Sequence, residues 1–103
     1  MCIRDRLVNI TSTNTAKIFG MYPTKGSFEP DSDADITLID LNKEQKVTND
    51  LFGGFSDYLV YEDWKLKGWP VKTIIRGQTV SEDFQVVGKC GDGKLVSRKT
   101  NSI

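Results

Sequence analysis

A chain of 103 residues with 38% hydrophobic and 27% charged content can build one small soluble domain around one core, and no more. Fourteen Lys plus Arg balance fourteen Asp plus Glu, so no net field draws it toward nucleic acid or an acidic membrane. It holds no histidine, which excludes His-based acid–base catalysis, Ser-His and Cys-His nucleophile pairs and every His-ligated metal centre.

No apolar run approaches the roughly 20 residues of a membrane helix, and the first ten residues lack the apolar stretch of a signal peptide. Cys2 and Cys90 are isolated from each other and from any CxxC spacing, so neither a disulfide framework nor a cysteine metal site is expected, and a reducing cytoplasm is the default compartment. Cys90 has no activating neighbour and reads as an inert thiol, exposed or half-buried.

In residues 7–11, Leu7, Val8 and Ile10 predict a buried helical turn. Thr11, Ser12, Thr13 and Asn14 are all competent to cap a second helix over 14–19, which Gly20 would end in a left-handed conformation. Asn9-Ile10-Thr11 matches a glycosylation acceptor, a chance match without a secretory signal. Pro23, Gly26 and Pro30 punctuate an irregular connection. From Ala34, Ile36 and Leu38 alternate with Asp35 and Thr37 as in a half-buried strand.

The run Asp31-Ser32-Asp33-Ala34-Asp35 invites a calcium-loop reading. An EF-hand needs Gly at position 6 and Glu at position 12, where this chain has Ile36 and Asn42, so the match fails. A turn whose aspartates bond local backbone is expected instead, with Asp31 able to adopt a left-handed conformation.

Residues 42–48 predict a turn and a short exposed strand near 45–48. Gly53-Gly54 between Phe52 and Phe55 predicts a loop with apolar anchors. Tyr58, Tyr61, Trp64 and Trp69 could form a stacking platform for bases or sugars. Zero net charge and the absence of a basic stripe favour packing against another protein surface. Residues 71–76 form the clearest strand, with Val71, Thr73 and Ile75 on one side and Lys72, Ile74 and Arg76 on the other. Gly77-Gln78 is the expected hairpin turn, Thr79-Val80 the return strand, and 81–83 a second turn before Phe84, Val86 and Val87. The tail carries Gly88, Gly91 and Gly93 with Lys89, Lys94, Arg98 and Lys99. It lacks phosphate-loop spacing and reads as extended loop.

Three blocks carry a resemblance. Asn14-Thr15-Ala16-Lys17-Ile18-Phe19-Gly20 with Tyr22-Pro23-Thr24-Lys25-Gly26 and Ser32-Asp33-Ala34-Asp35-Ile36 is the first. Residues 56–64 with Lys67-Gly68-Trp69-Pro70 are the second, and Val71-Lys72-Thr73-Ile74-Ile75-Arg76-Gly77-Gln78-Thr79-Val80 the third. In this order they resemble the C-terminal region of cyclic amidohydrolases, most similarly the dihydropyrimidinase/D-hydantoinase branch.

The resemblance implies a mainly β fold with short N-terminal helices: the end of a TIM-like barrel followed by the C-terminal part of a small β-sandwich. Residues 1–6 fit nothing in the family and are expected to be a non-native start. Residues 7–22 would be the terminal helices of the barrel domain, 23–87 a partial β-sandwich with a crossing segment at 49–70, and 88–103 an extended tail. Gly91, Gly93 and Arg98 stand where a similar stretch wraps over a neighbouring subunit, although Cys90 occupies a position often held by Pro.

The resemblance also implies a parent enzyme that hydrolyses cyclic amides at a divalent metal pair, expected to be zinc. A metal-bound hydroxide attacks the ring carbonyl there. The ligands are histidines, a modified lysine and an aspartate from the barrel, none of them in this chain. No catalytic, cofactor-binding or metal-binding residue is therefore expected here, and the chain alone should be inactive. The rest of the parent chain and a homo-oligomer, a tetramer in the family, are the expected partners, with neither nucleic acid nor membrane. A non-enzymatic scaffold paralogue of the same fold is the alternative, and an upstream His-x-His motif would separate the two.

Overall fold

A computed structural model describes residues 3–99. Two units divide them: residues 3–35 with 90–99, and Ile36–Lys89.

The first unit opens with α1, Ile3–Val8, and continues without a break through a π-helical turn, Asn9–Thr13, into α2, Asn14–Ile18. The sequence predicts two capped helices here, and the structure differs. Thr13 stays helical (φ −64°, ψ −53°) and makes no side-chain cap. With no break there are no orphan amides to cap. The hydroxyls turn back on the helix instead: Thr11 Oγ1 donates to Leu7 O at 2.7 Å and Thr15 Oγ1 to Ile10 O at 2.7 Å. The second of these spans five residues, matching the wider π turn. Leu7, Val8 and Ile10 are helical as expected but exposed, so their predicted burial does not hold within this chain.

Gly20 ends α2 at φ +72°, as the sequence indicates. The amides of Met21 and Tyr22 then bond Ala16 O at 2.8 and 3.2 Å. The connection that follows, with a cis Tyr22–Pro23 peptide, folds back so that Gly26 lies on the helix. Thr13 Oγ1 donates to Gly26 O at 3.1 Å there. Asp31 adopts φ +71°, the left-handed conformation anticipated for it.

The second unit is one four-stranded antiparallel sheet in the order β1 (Ile36–Lys46), β2 (Lys65–Ile75), β3 (Gln78–Glu82), β4 (Gln85–Val86). β1 and β2 are both longer than their sequence signals. In place of the turn predicted at 42–44, residues 41–43 bulge between the pairs Asp40↔Trp69 and Glu44↔Lys67. Asn42 N bonds Asp40 Oδ1 at 2.9 Å inside it, and Gly68 opposite takes φ +92°. Pro70 argues against a strand interior, yet β2 runs through it. β3 pairs with β2 only from Lys72 onward, so no ladder partner on that side needs the amide that Pro70 lacks. Lys67, Gly68, Trp69 and Pro70 are therefore strand rather than crossing segment.

The first hairpin turns one residue before the expected Gly77-Gln78, and the second turns at 83–84 rather than 81–83, because Ser81 and Glu82 stay in β3. Ile75 pairs with Gln78, leaving Arg76 (φ +47°) and Gly77 (φ +79°) as the two-residue turn. Glu82 pairs with Gln85, leaving Asp83 (φ +49°) and Phe84 (φ +65°) as the second. Phe84 in this conformation is costly, and its contacts offset that. It meets the Trp69 ring edge-on at 5.5 Å, and Lys43 Nζ sits 4.8 Å from its centroid.

Only Ala16, Val47 and Trp69 are buried apolar residues, while twenty-two large apolar side chains are exposed among the described residues. The strands form, but the faces their alternation marks as inward are uncovered: Leu38 is 46% exposed and Ile39 45%. No helix among the described residues is long and apolar enough to cross a membrane.

Candidate functional site

Two side-chain clusters stand out, one in each unit. In the first, Lys25 Nζ lies 2.8 Å from Asp33 Oδ2 and also contacts Asp35 Oδ2. Asp33 is brought there by its own amide, which bonds Thr24 O at 2.9 Å. Burial works against the Lys25 charge, but hydrogen bonds and attraction from Asp33 and Asp35 outweigh it and hold the ammonium above its ordinary 10.5. The aspartates were expected to bond local backbone. They hold a lysine ammonium instead, and a cation already fills the space where a metal reading would place its ion.

The pH dependence follows from the direction of that shift. A lysine raised in the folded state contributes its full stabilisation below its unfolded value, and loses it as the pH climbs through the raised one. Lys25→Met should cost about 1–2 kcal/mol at neutral pH, since the group is mostly buried while its partners are about one third exposed. Hydrogen exchange at the Asp33 amide reads it. The difference between variant and parent should be constant through neutral pH and shrink only above 10.5.

In the second unit, Val47, Phe52, Leu59, Tyr61, Leu66 and Trp69 line a hollow of about 300 Å³. Val47 and Trp69 are its buried floor, at 2% and 6% exposure, and Phe52, Tyr61 and Leu66 its exposed rim. Val47 is placed by a reciprocal backbone pair: its amide bonds Trp64 O at 2.7 Å, and its carbonyl accepts from the Asp63 amide at 2.9 Å. The Trp69 indole donates to Leu66 O at 2.8 Å, so its one polar atom is satisfied locally. A cyclic amide carries several donors and acceptors, which this lining would leave unmet; the hollow suits apolar side chains.

The four aromatics proposed as a platform do not form one. Tyr61 meets Trp64 edge-on at 5.2 Å, Trp69 pairs with Phe84, and Tyr58 is 68% exposed with neither. Tyr61 and Trp69 share only the hollow. In the tail, Cys90 is a free, exposed thiol, and Lys99 N bonds Gly20 O of the same chain at 2.9 Å. Cys2 lies outside the described residues. Among the described residues, no three His, Cys, Asp or Glu side chains are grouped to hold a metal ion.

The sequence model of the amidohydrolase family matches residues 4–80. An L-hydantoinase from Paenarthrobacter aurescens is 36% identical over 95 residues, which are 92% of this chain and 21% of that protein. A D-hydantoinase from Ralstonia pickettii is 36% identical over 94 residues, again with 21% of its length covered. Among solved structures, a dihydropyrimidinase from Brevibacillus agri superposes with a TM-score of 0.89 at 35% identity, over 96% of this chain and 22% of that one. The chain spans about a fifth of the length of the relatives it matches.

Proposed function

Because the chain belongs to the amidohydrolase family, we propose that it is the C-terminal portion of a metal-dependent hydrolase opening dihydropyrimidine or hydantoin rings at an amide C–N bond. The observation that carries the reading is a disproportion. Similarity runs over nine tenths of this chain, yet three buried apolar residues face twenty-two exposed ones. A surface of that kind is the inner face of a larger body.

In this reading residues 7–22 close a barrel. Residues 23–87 belong to a β-sandwich with its crossing segment at 49–64, ahead of β2, and 88–103 are tail. The hollow floored by Val47 and Trp69 receives apolar side chains from the rest of the polypeptide. The assembly is a cytoplasmic homo-oligomer, a tetramer. Its metal pair does not fit the residues present here. The chain has no histidine, and Asp33 and Asp35 are already paired with Lys25. No catalytic step is therefore assigned to this chain, whose role is structural.

The complete reading frame containing this segment should open hydantoin or dihydropyrimidine rings when loaded with a divalent metal. The 103-residue chain with the same metal should show no turnover, and ring opening by it alone would overturn the structural role. Failure of the complete protein on both ring types would overturn the hydrolase reading.

A further inference from the structure

We propose that the segment from Cys90 to Lys99 is a strap latched on Gly20, and that Gly20 serves as the latch as well as the stop of α2. The two demands on this residue are separable. The stop requires only a left-handed residue at φ +72°, a conformation open to Gly and, at modest cost, to Asn. The latch requires that residue 20 have no side chain at all. A Cβ built there would lie 2.0 Å from Lys99 O, 3.1 Å from Lys99 C and 3.2 Å from Lys99 N. Through that gap Lys99 N reaches Gly20 O at 2.9 Å.

The strap contains no helix or strand, and Gly91 near its start takes φ +92°. Its largest apolar side chain, Leu95, is fully exposed, and Val96 is only half-buried. The latch is a backbone contact, indifferent to the side chain at 99 and sensitive to the one at 20. It gives the basic tail two states, closed on its own chain at Gly20 or free of it. This inference does not depend on the hydrolase reading.

Limited trypsin cleavage after Lys94, with residue-resolved hydrogen exchange, tests it on the chain as it stands at one fixed protein concentration. Gly20→Asn keeps a left-handed stop and adds the forbidden Cβ. Cleavage after Lys94 should rise about fivefold, the equivalent of one backbone hydrogen bond, and the Lys99 amide should lose its protection. The Met21 and Tyr22 amides should keep theirs. Lys99→Pro removes the donor without touching residue 20 and should release the strap equally. It decides the matter where Gly20→Asn also frays the helix end. Unchanged cleavage in Lys99→Pro, or a Lys99 amide in the parent exchanging as fast as in an unfolded chain, overturns the latch.

Discussion

Purified alone at micromolar concentration, the 103-residue chain will self-associate rather than behave as a clean monomer. The reason is the sheet unit's surface. Phe52, Tyr61, Trp64 and Leu66 are 56%, 54%, 56% and 41% exposed, and they cluster around or beside one apolar hollow. Burying one such side chain in an association is worth about 1.5–3 kcal/mol, so several in one patch are enough to drive it. β1 adds an unpaired edge for backbone pairing, although its bulge at residues 41–43 interrupts that edge. Sedimentation velocity over a concentration series is the measurement. Leu66→Lys removes one rim contact and places a charge there, and should weaken association about ten- to a hundredfold, the equivalent of that one buried side chain. Leu66 is already two fifths exposed, so the strand itself should tolerate the change. A monomer with a cooperative thermal transition, unaltered by Leu66→Lys, would mean that the exposed surface is a finished exterior, and the structural role in a larger fold would fall with it.

The same surface explains what could be read from residue order and what could not. Local chemistry was legible: the left-handed Gly20 and Asp31, the strand from Val71 to Ile75 and the return strand after it. Each depends on neighbours within a few positions. Turn positions shifted, because pairing of Ile75 with Gln78 and of Glu82 with Gln85 decides which residues turn. Strand length was missed at Gly68 and Pro70, where a bulge on β1 and the short reach of β3 make two strand breakers tolerable. Burial was missed at Leu7, Val8, Ile10 and Leu38 for a different reason. Their apolar periodicity marks an inward face, and within this chain there is no inside for it to meet. The absence of histidine was legible from the start, since it excludes any His-ligated centre in this chain without reference to a fold. The Lys25–Asp33–Asp35 cluster had no short-range signal beyond two acidic residues ten or fewer positions from a lysine, across a connection whose path the sequence does not specify.

Gly26→Ala should damage the helical unit far more than Gly53→Ala damages the sheet unit, although both glycines are left-handed. Gly26 has φ +78° and Gly53 φ +58°, so each substitution carries a backbone cost of about 1–2 kcal/mol. Their surroundings differ. A Cβ at Gly53 meets nothing within 4 Å. A Cβ at Gly26 lies 2.7 Å from the Ala16 Cβ, 3.0 Å from Ser12 O and 3.3 Å from Thr13 Cα. Two of those three are helix backbone and the third is the Cβ of buried Ala16, so none can swing aside as a flexible side chain could. Relief requires the 21–35 connection to lift from the helix, which also breaks the hydrogen bond from Thr13 Oγ1 to Gly26 O. The added penalty for overpacking is about 1–3 kcal/mol, for a total of about 2–5 kcal/mol against 1–2 at the control position. Hydrogen exchange separates them. In Gly26→Ala, protection should collapse at the Lys25 and Asp33 amides, which bond Met21 O and Thr24 O in that connection. In Gly53→Ala the loss should stay near Leu51, whose amide bonds Thr48 O. Equal losses in the two variants would show that conformational strain alone governs both, and that the seating of Gly26 on Ala16 carries no weight. A loss confined to Gly26→Ala would identify the contact between residues 16 and 26 as what holds the connection to the helix, since the left-handed conformation is common to both sites and the close approach belongs to one.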